Sequence, residues 1–184
     1  MTDHTPSPSD ARTAPNTFRD HAETAGEDRL AVLQVEPDPR SAELLETFAE
    51  RLTDRVRVRS VGCLADGIDA VEAGIEIGGE RVAVDCVVTE QRLAYGAGTD
   101  LAERLRGASR RLPIVFHTTC PSEECGAAAF GAGADAYFEK GSDRGRFEAI
   151  LDRIRALVDE RRDGDSDVEA AAASTPQTLG TPDE

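Results

Sequence analysis

Tryptophan is absent from this sequence, methionine occurs once, tyrosine twice, and lysine once among 21 basic residues. The shortage of basic side chains against 36 acids leaves a formal net charge of −15. That balance argues against nucleic acid as a partner, because phosphate contacts need clustered Lys and Arg, and it disfavours anionic membrane surfaces for the same reason. No apolar run is long enough to span a bilayer and no basic-then-apolar leader opens the chain, so a cytoplasmic protein without a membrane anchor is expected. The four cysteines (Cys63, Cys86, Cys120, Cys125) lack CxxC spacing and no paired histidines accompany them. They are expected to be small buried or loop residues, not a disulfide or a zinc site. Walker-type phosphate loops are missing too. Excess acid, few aromatics and arginine in place of lysine give a haloarchaeal-like, salt-adapted composition; a GC-rich genome encoding an acidic surface is the plainer alternative. In either case the like-charged surface is relieved by salt screening.

Large apolar residues are scarce in Met1 to Asp28 and again in Asp163 to Glu184. Segments of that kind bury too little surface to offset the entropy of ordering, so both are expected to be disordered and residues 29–162 to form one folded unit. No output domain is expected beyond Val158. Within the unit, two kinds of segment alternate. Leu30–Val35, Val82–Val88, Pro113–Phe116 and Ala134–Phe138 read as buried strands, and Arg55–Val61 as a half-exposed one. Ser41–Leu52, Leu64–Ile75, Asp100–Arg110, Ser122–Phe130 and Phe147–Val158 carry apolar residues at helical spacing. Five strands alternating with five helices predict an α/β fold, a doubly wound five-stranded parallel sheet covered on both faces.

In such sheets ligands bind at the carboxyl ends of the strands, near the point where strand order reverses. The polar residues ending the strands are Glu36, Pro37 and Asp38; Thr89 and Glu90; His117, Thr118 and Thr119; Glu139 and Lys140. Carboxylates, a hydroxyl and an ammonium therefore meet on one edge. These groups suit a phosphoryl group, with carboxylates for a divalent cation and Thr and Lys as donors to phosphate oxygens. Gly96-Ala-Gly-Thr-Asp-Leu101 fails as a dinucleotide loop, because its third glycine is Leu101 and it does not follow the first strand. His117 has no Ser or Cys nucleophile spaced near it in a known pattern, and reads as a strand-end histidine beside the pocket.

Four segments carry a family resemblance: Val32-Leu-Gln-Val-Glu-Pro-Asp-Pro39, Asp85-Cys-Val-Val-Thr-Glu90, Pro113-Ile-Val-Phe-His-Thr118 and Gly133-Ala-Asp-Ala-Tyr-Phe-Glu-Lys-Gly141. From Leu30 to Val158 the chain resembles the receiver domain of two-component response regulators, a flavodoxin-like fold. The resemblance implies Glu90 at the phosphoacceptor position, Thr118 and Lys140 as the phosphate pocket, and Tyr137 as the switch aromatic. The sole lysine falls where that family requires one, and a compact ammonium at a strand end is not readily replaced by a planar guanidinium. The resemblance also implies signalling without enzymatic turnover of a substrate. Expected partners are a sensor histidine kinase or another signalling protein, with homodimerisation through the face of the fourth helix, fifth strand and fifth helix.

The departures concern the phosphorylation chemistry. Glutamate stands at position 90 where the family has aspartate. Three accounts remain open: Glu90 partly mimics an acyl phosphate, it is a solvated acid left after phosphotransfer was lost, or it is itself phosphorylated by a kinase with magnesium. The family's acidic pair falls on Glu36 and Pro37, and proline supplies no ligand. Asp38 is the substitute in reach, so a magnesium site at Glu36 and Asp38 is expected to be impaired and no cofactor is expected. Arg92, two residues past Glu90, is a candidate to neutralise the acidic pocket in place of metal, or an ordinary exposed loop arginine. Ala94 replaces the family's proline, and Gly98 matches its later glycine.

Overall fold

The computed structural model describes residues 29–172. Expectations about residues 1–28 and 173–184 lie outside that range. In chain order the elements are β1 (Leu30–Val35), α1 (Pro39–Leu52), β2 (Val56–Val61), α2 (Leu64–Ala73), β3 (Ile75–Ile77), β4 (Glu80–Val82), β5 (Cys86–Thr89), β6 (Arg92–Leu93), β7 (Gly96–Ala97), α3 (Gly98–Ala108), β8 (Ile114–Thr118), α4 (Ser122–Gly131), β9 (Ala136–Glu139) and α5 (Arg144–Ala172). The main sheet is five-stranded and parallel, in the order β2-β1-β5-β8-β9. Its strands are the five predicted ones, and the doubly wound fold is as expected.

β1 is an interior strand, between β2 and β5, and is buried along its whole length. Its side chains alternate between two cores, as the pleat demands. Leu30 and Val32 face one layer, with Leu45 and Ala49 of α1 and Ile150, Leu151 and Ile154 of α5. Ala31, Leu33 and Val35 face the other, with Leu64 of α2, Leu101 and Leu105 of α3 and Ala129 of α4. Phe48 and Phe147 stack with centroids 4.4 Å apart and join α1 to α5. After β1 the chain steps outward to β2, then returns to the far side of β1 as β5. The reversal therefore lies between β1 and β5, and their carboxyl ends open the crevice where this fold holds ligands.

Several boundaries differ from expectation: the helix predicted over Leu64–Ile75 ends at Ala73, and Ile75 opens β3. The strand predicted over Val82–Val88 splits, since β5 begins at Cys86 and Val82 belongs to an antiparallel hairpin with β3, Ile75 pairing with Val82. The turn is Gly78-Gly79, both at positive φ (62° and 85°), and a Gly-Gly pair between short apolar runs is a hairpin signal in its own right. A second small hairpin, β6–β7, fills what reads as loop. Finally, the boundary placed at Arg162 falls inside α5, which runs on to Ala172. A helix already anchored by Phe147 to Val158 continues without a new nucleation step through a proline-free, alanine-ending stretch, in spite of the poor helix formers Asp163, Gly164, Asp165 and Asp167.

Candidate functional site

β1 delivers Glu36, β5 delivers Glu90, β8 delivers Thr118 and β9 delivers Lys140, each at or just past a strand's carboxyl end. Parallel register brings the four together: Glu90 N–H bonds to Val35 O at 3.0 Å, and Lys140 N–H to Thr118 O at 2.7 Å. The Lys140 ammonium lies between two carboxylates. It contacts Glu36 Oε2 and sits 2.8 Å from Glu90 Oε2. Both acids are buried, at 4% and 5% exposure.

Glu90 is held on all sides. Its Oε1 accepts from the Thr118 hydroxyl, from Gln91 N–H at 2.6 Å and from Arg92 N–H at 3.3 Å. Its Oε2 accepts from Thr119 N–H at 3.2 Å besides the ammonium. Burial raises the carboxyl's pKa, but donation by Lys140 and Thr118 outweighs it and leaves Glu90 below the usual glutamate range. For Glu36 the balance runs the other way: burial pushes its pKa up by more than Lys140 and the Asp38 N–H pull it down. Burial would lower the pKa of Lys140, yet the two glutamates raise it, so the ammonium stays charged. An ammonium between two buried carboxylates is stable only because each carboxylate also has other donors.

The remaining predicted site residues fall outside this cluster. Asp38 is exposed and caps α1, its Oδ2 accepting from Ser41 N–H at 3.0 Å and from the Ser41 hydroxyl at 2.8 Å. The Asp-Pro start of a helix demands such a cap, and that role takes the side chain away from the pocket. Arg92 is exposed and contributes its backbone N–H; the guanidinium does not enter the pocket, where Lys140 already supplies the positive charge. The two glutamates, proline at 37 and Asp38 turned outward make a poor donor set for an octahedral dication. Among the described residues no group of three or more His, Cys, Asp or Glu could hold a metal ion. The residues present do not fit the magnesium that the resemblance implies.

Tyr137, on β9, stacks on Phe116 with centroids 5.9 Å apart and donates its hydroxyl to Cys120 O at 2.8 Å. Gly98 starts α3 against the crevice floor, where an added Cβ would lie 2.5 Å from Glu90 O and 2.9 Å from Phe116 Cε1. No larger residue fits at this close approach. His117 is buried, its ring edge-on to Phe147 and its Nδ1 without a hydrogen-bond partner, and burial lowers its pKa to about 4.

Sequence reasoning missed two features. The amide donors of Gln91, Arg92 and Thr119 are backbone groups, which no scan of side-chain types can reveal. Cys120 and Cys125 are joined in a disulfide, contrary to expectation. Their spacing places Cys120 just before α4 and Cys125 in its first turns, with Cα atoms 6.2 Å apart, within bridging range. The Cx4C spacing across a helix start was the available signal.

The response regulator receiver domain family matches residues 32–152. Solved structures share the fold. A CheY-like receiver domain protein from Methanospirillum hungatei is 20% identical with a TM-score of 0.61, covering 74% of this chain and 98% of its own. The signal receiver domain of an HD domain-containing protein from Pseudomonas fluorescens is 16% identical with a TM-score of 0.62, covering 76% and 93%. A two-component response regulator from Clostridium difficile is 18% identical with a TM-score of 0.59, covering 71% and 96%. No curated protein matches the chain.

Proposed function

The chain belongs to the response regulator receiver domain family of two-component signalling, and from that premise we propose that it is an atypical receiver that signals by protein–protein contact without being phosphorylated. One observation carries the reading: the Glu90 carboxylate already engages the Thr118 hydroxyl, the Lys140 ammonium and the Thr119 N–H, the donors a phosphoryl group on a shorter side chain would need. Glutamate is one methylene longer than aspartate, so its carboxylate reaches into the space an acyl phosphate would occupy. It brings one negative charge where phosphoaspartate carries roughly two, so the imitation is partial. The impaired cation site supports the same reading, since phosphotransfer in the family relies on magnesium. The proposed partners are a sensor histidine kinase or another signalling protein, or a second copy, met through α4, β9 and α5, where Phe130 of α4 is exposed beside Tyr137. In this reading the protein is cytoplasmic and is not an enzyme.

The test is intact mass after incubation with magnesium and a small acyl phosphate in high salt, comparing wild type with Glu90→Asp. Wild type is expected to gain no phosphoryl group. A labile adduct on wild type would overturn the proposal and make the chain a magnesium-dependent phosphoacceptor. Gain by Glu90→Asp alone would assign the silence to the glutamate, and gain by neither would assign it to the missing cation site.

A further inference from the structure

The Cys120–Cys125 bond closes the loop between β8 and α4, one residue from the pocket. Cys120 is wired on both sides. Its N–H donates to Thr118 Oγ1 at 3.0 Å, and that hydroxyl donates onward to Glu90; its carbonyl accepts from the Tyr137 hydroxyl. The helix that the bond tethers has little else to hold it, because only Gly126 and Ala129 of α4 are buried. Helices with so little apolar contact open locally at low free energy. A covalent tether at its first turns therefore does more here than it would on a well-packed helix.

We propose that Cys120–Cys125 is a reversible redox site that sets the order of the β8–α4 loop, a second input to the receiver beside residue 90. The tether holds whether or not Glu90 accepts phosphate. Cys125 is half-buried and Cys120 is 3% exposed, so an incoming thiolate attacks Cys125 Sγ. The sulfur–sulfur bond breaks, Cys120 leaves as thiolate and takes a proton, and a mixed disulfide forms on Cys125. The second thiol of a dithiol reductant then attacks its own bound sulfur and releases Cys125 as a thiol. Two electrons and two protons pass to the protein, and the reductant becomes a disulfide. In reducing compartments protein disulfides are usually transient and redox-sensing, which suits a bond at a switch loop. The other two cysteines are controls built into the chain. Cys86 is fully buried, and burial pushes its thiol far above the usual range, while Cys63 is free and partly exposed.

The experiment uses the full chain in high salt, reduced with dithiothreitol and reoxidised with glutathione disulfide. Alkylation followed by intact mass counts thiols, and amide hydrogen exchange reads residues 119–131. Reduction is expected to expose the thiols of Cys120 and Cys125 and to speed exchange across residues 119–131 by about tenfold or more, reversibly, while β1 and β5 stay unchanged. Cys125→Ser is expected to exchange like the reduced protein under both conditions. The proposal fails if reduction leaves exchange in 119–131 unaltered, if Cys125→Ser behaves like oxidised wild type, or if the two thiols do not re-pair.

Discussion

Replacing Lys140 with methionine retains an unbranched stem of similar length and removes the ammonium between Glu36 and Glu90. Both carboxylates are at least 95% buried, so water cannot take over the lost contact without opening the pocket. Removing one partner of a buried pair typically destabilises by about 3–5 kcal/mol. A ceiling applies here, because Glu36 can escape by taking a proton. Its ordinary pKa is 4.5, and neutralising such a group at pH 7 costs about 3.4 kcal/mol at about 1.36 kcal/mol per unit. Glu90 keeps the donors Thr118, Thr119 and Gln91 and adds little. The expected loss is therefore about 3 kcal/mol at pH 7, out of the roughly 5–15 kcal/mol of an ordinary domain. The sign of the pH dependence follows. In the variant the folded pKa of Glu36 lies above its unfolded value, so the folded chain binds more protons and stability falls as pH rises between the two. At pH 5 the penalty should shrink to about 1 kcal/mol. In wild type the raised pKa of Lys140 keeps its contribution whole below 10.5, to be lost only as pH climbs through the folded value. Urea unfolding in molar salt at pH 5 and pH 7 measures both quantities, and salt screens the exposed charges without reaching the buried ones. Adding Glu36→Gln should recover most of the loss. A Lys140→Met penalty under 1 kcal/mol, or one equal at both pH values, would refute the buried-triad account.

Lowering pH from 7 to 4 should cost wild type about 3 kcal/mol through His117, whose folded pKa of about 4 lies below the unfolded 6.5 so that the unfolded chain binds the extra proton. His117→Leu should lose that share of the acid sensitivity, read as the difference between two urea-midpoint series. Gly98→Ala should destabilise by about 1–3 kcal/mol, because its Cβ would meet backbone at Glu90 and the ring of Phe116; a neutral result in thermal melts would contradict the packing. Tyr95 is fully exposed at φ 60°, in the tip between β6 and β7, and Tyr95→Gly should stabilise by about 1 kcal/mol by relieving the left-handed backbone. An unchanged or lower unfolding midpoint would show that the extra freedom of glycine in the unfolded chain outweighs the relieved strain.

Much of the fold was legible because its signals are local. Apolar runs such as Leu30–Val35 and helical spacing such as Leu101 and Leu105 specify element type without reference to the rest of the chain. The alternation of strand and helix specifies a parallel sheet, and the polar residues after each strand specify which edge is reactive. Glu90, Thr118 and Lys140 could thus be named from one dimension, and the lone lysine stood out by composition. What the sequence could not settle depends on three-dimensional competition for partners. Asp38 and Glu36 look alike as carboxylates two residues apart, but one turns outward to cap α1 and the other turns inward to the ammonium, and only helix geometry decides which. Arg92 and Lys140 are both cations that the sequence offers to the acidic pocket, but Arg92 is exposed on β6 and the ammonium at the end of β9 lies between the two glutamates. Cys120 and Cys125 become a bond only when the start of α4 folds them to one side. Residue type and spacing determined which groups stand near the crevice; packing and backbone direction decided which of them touch.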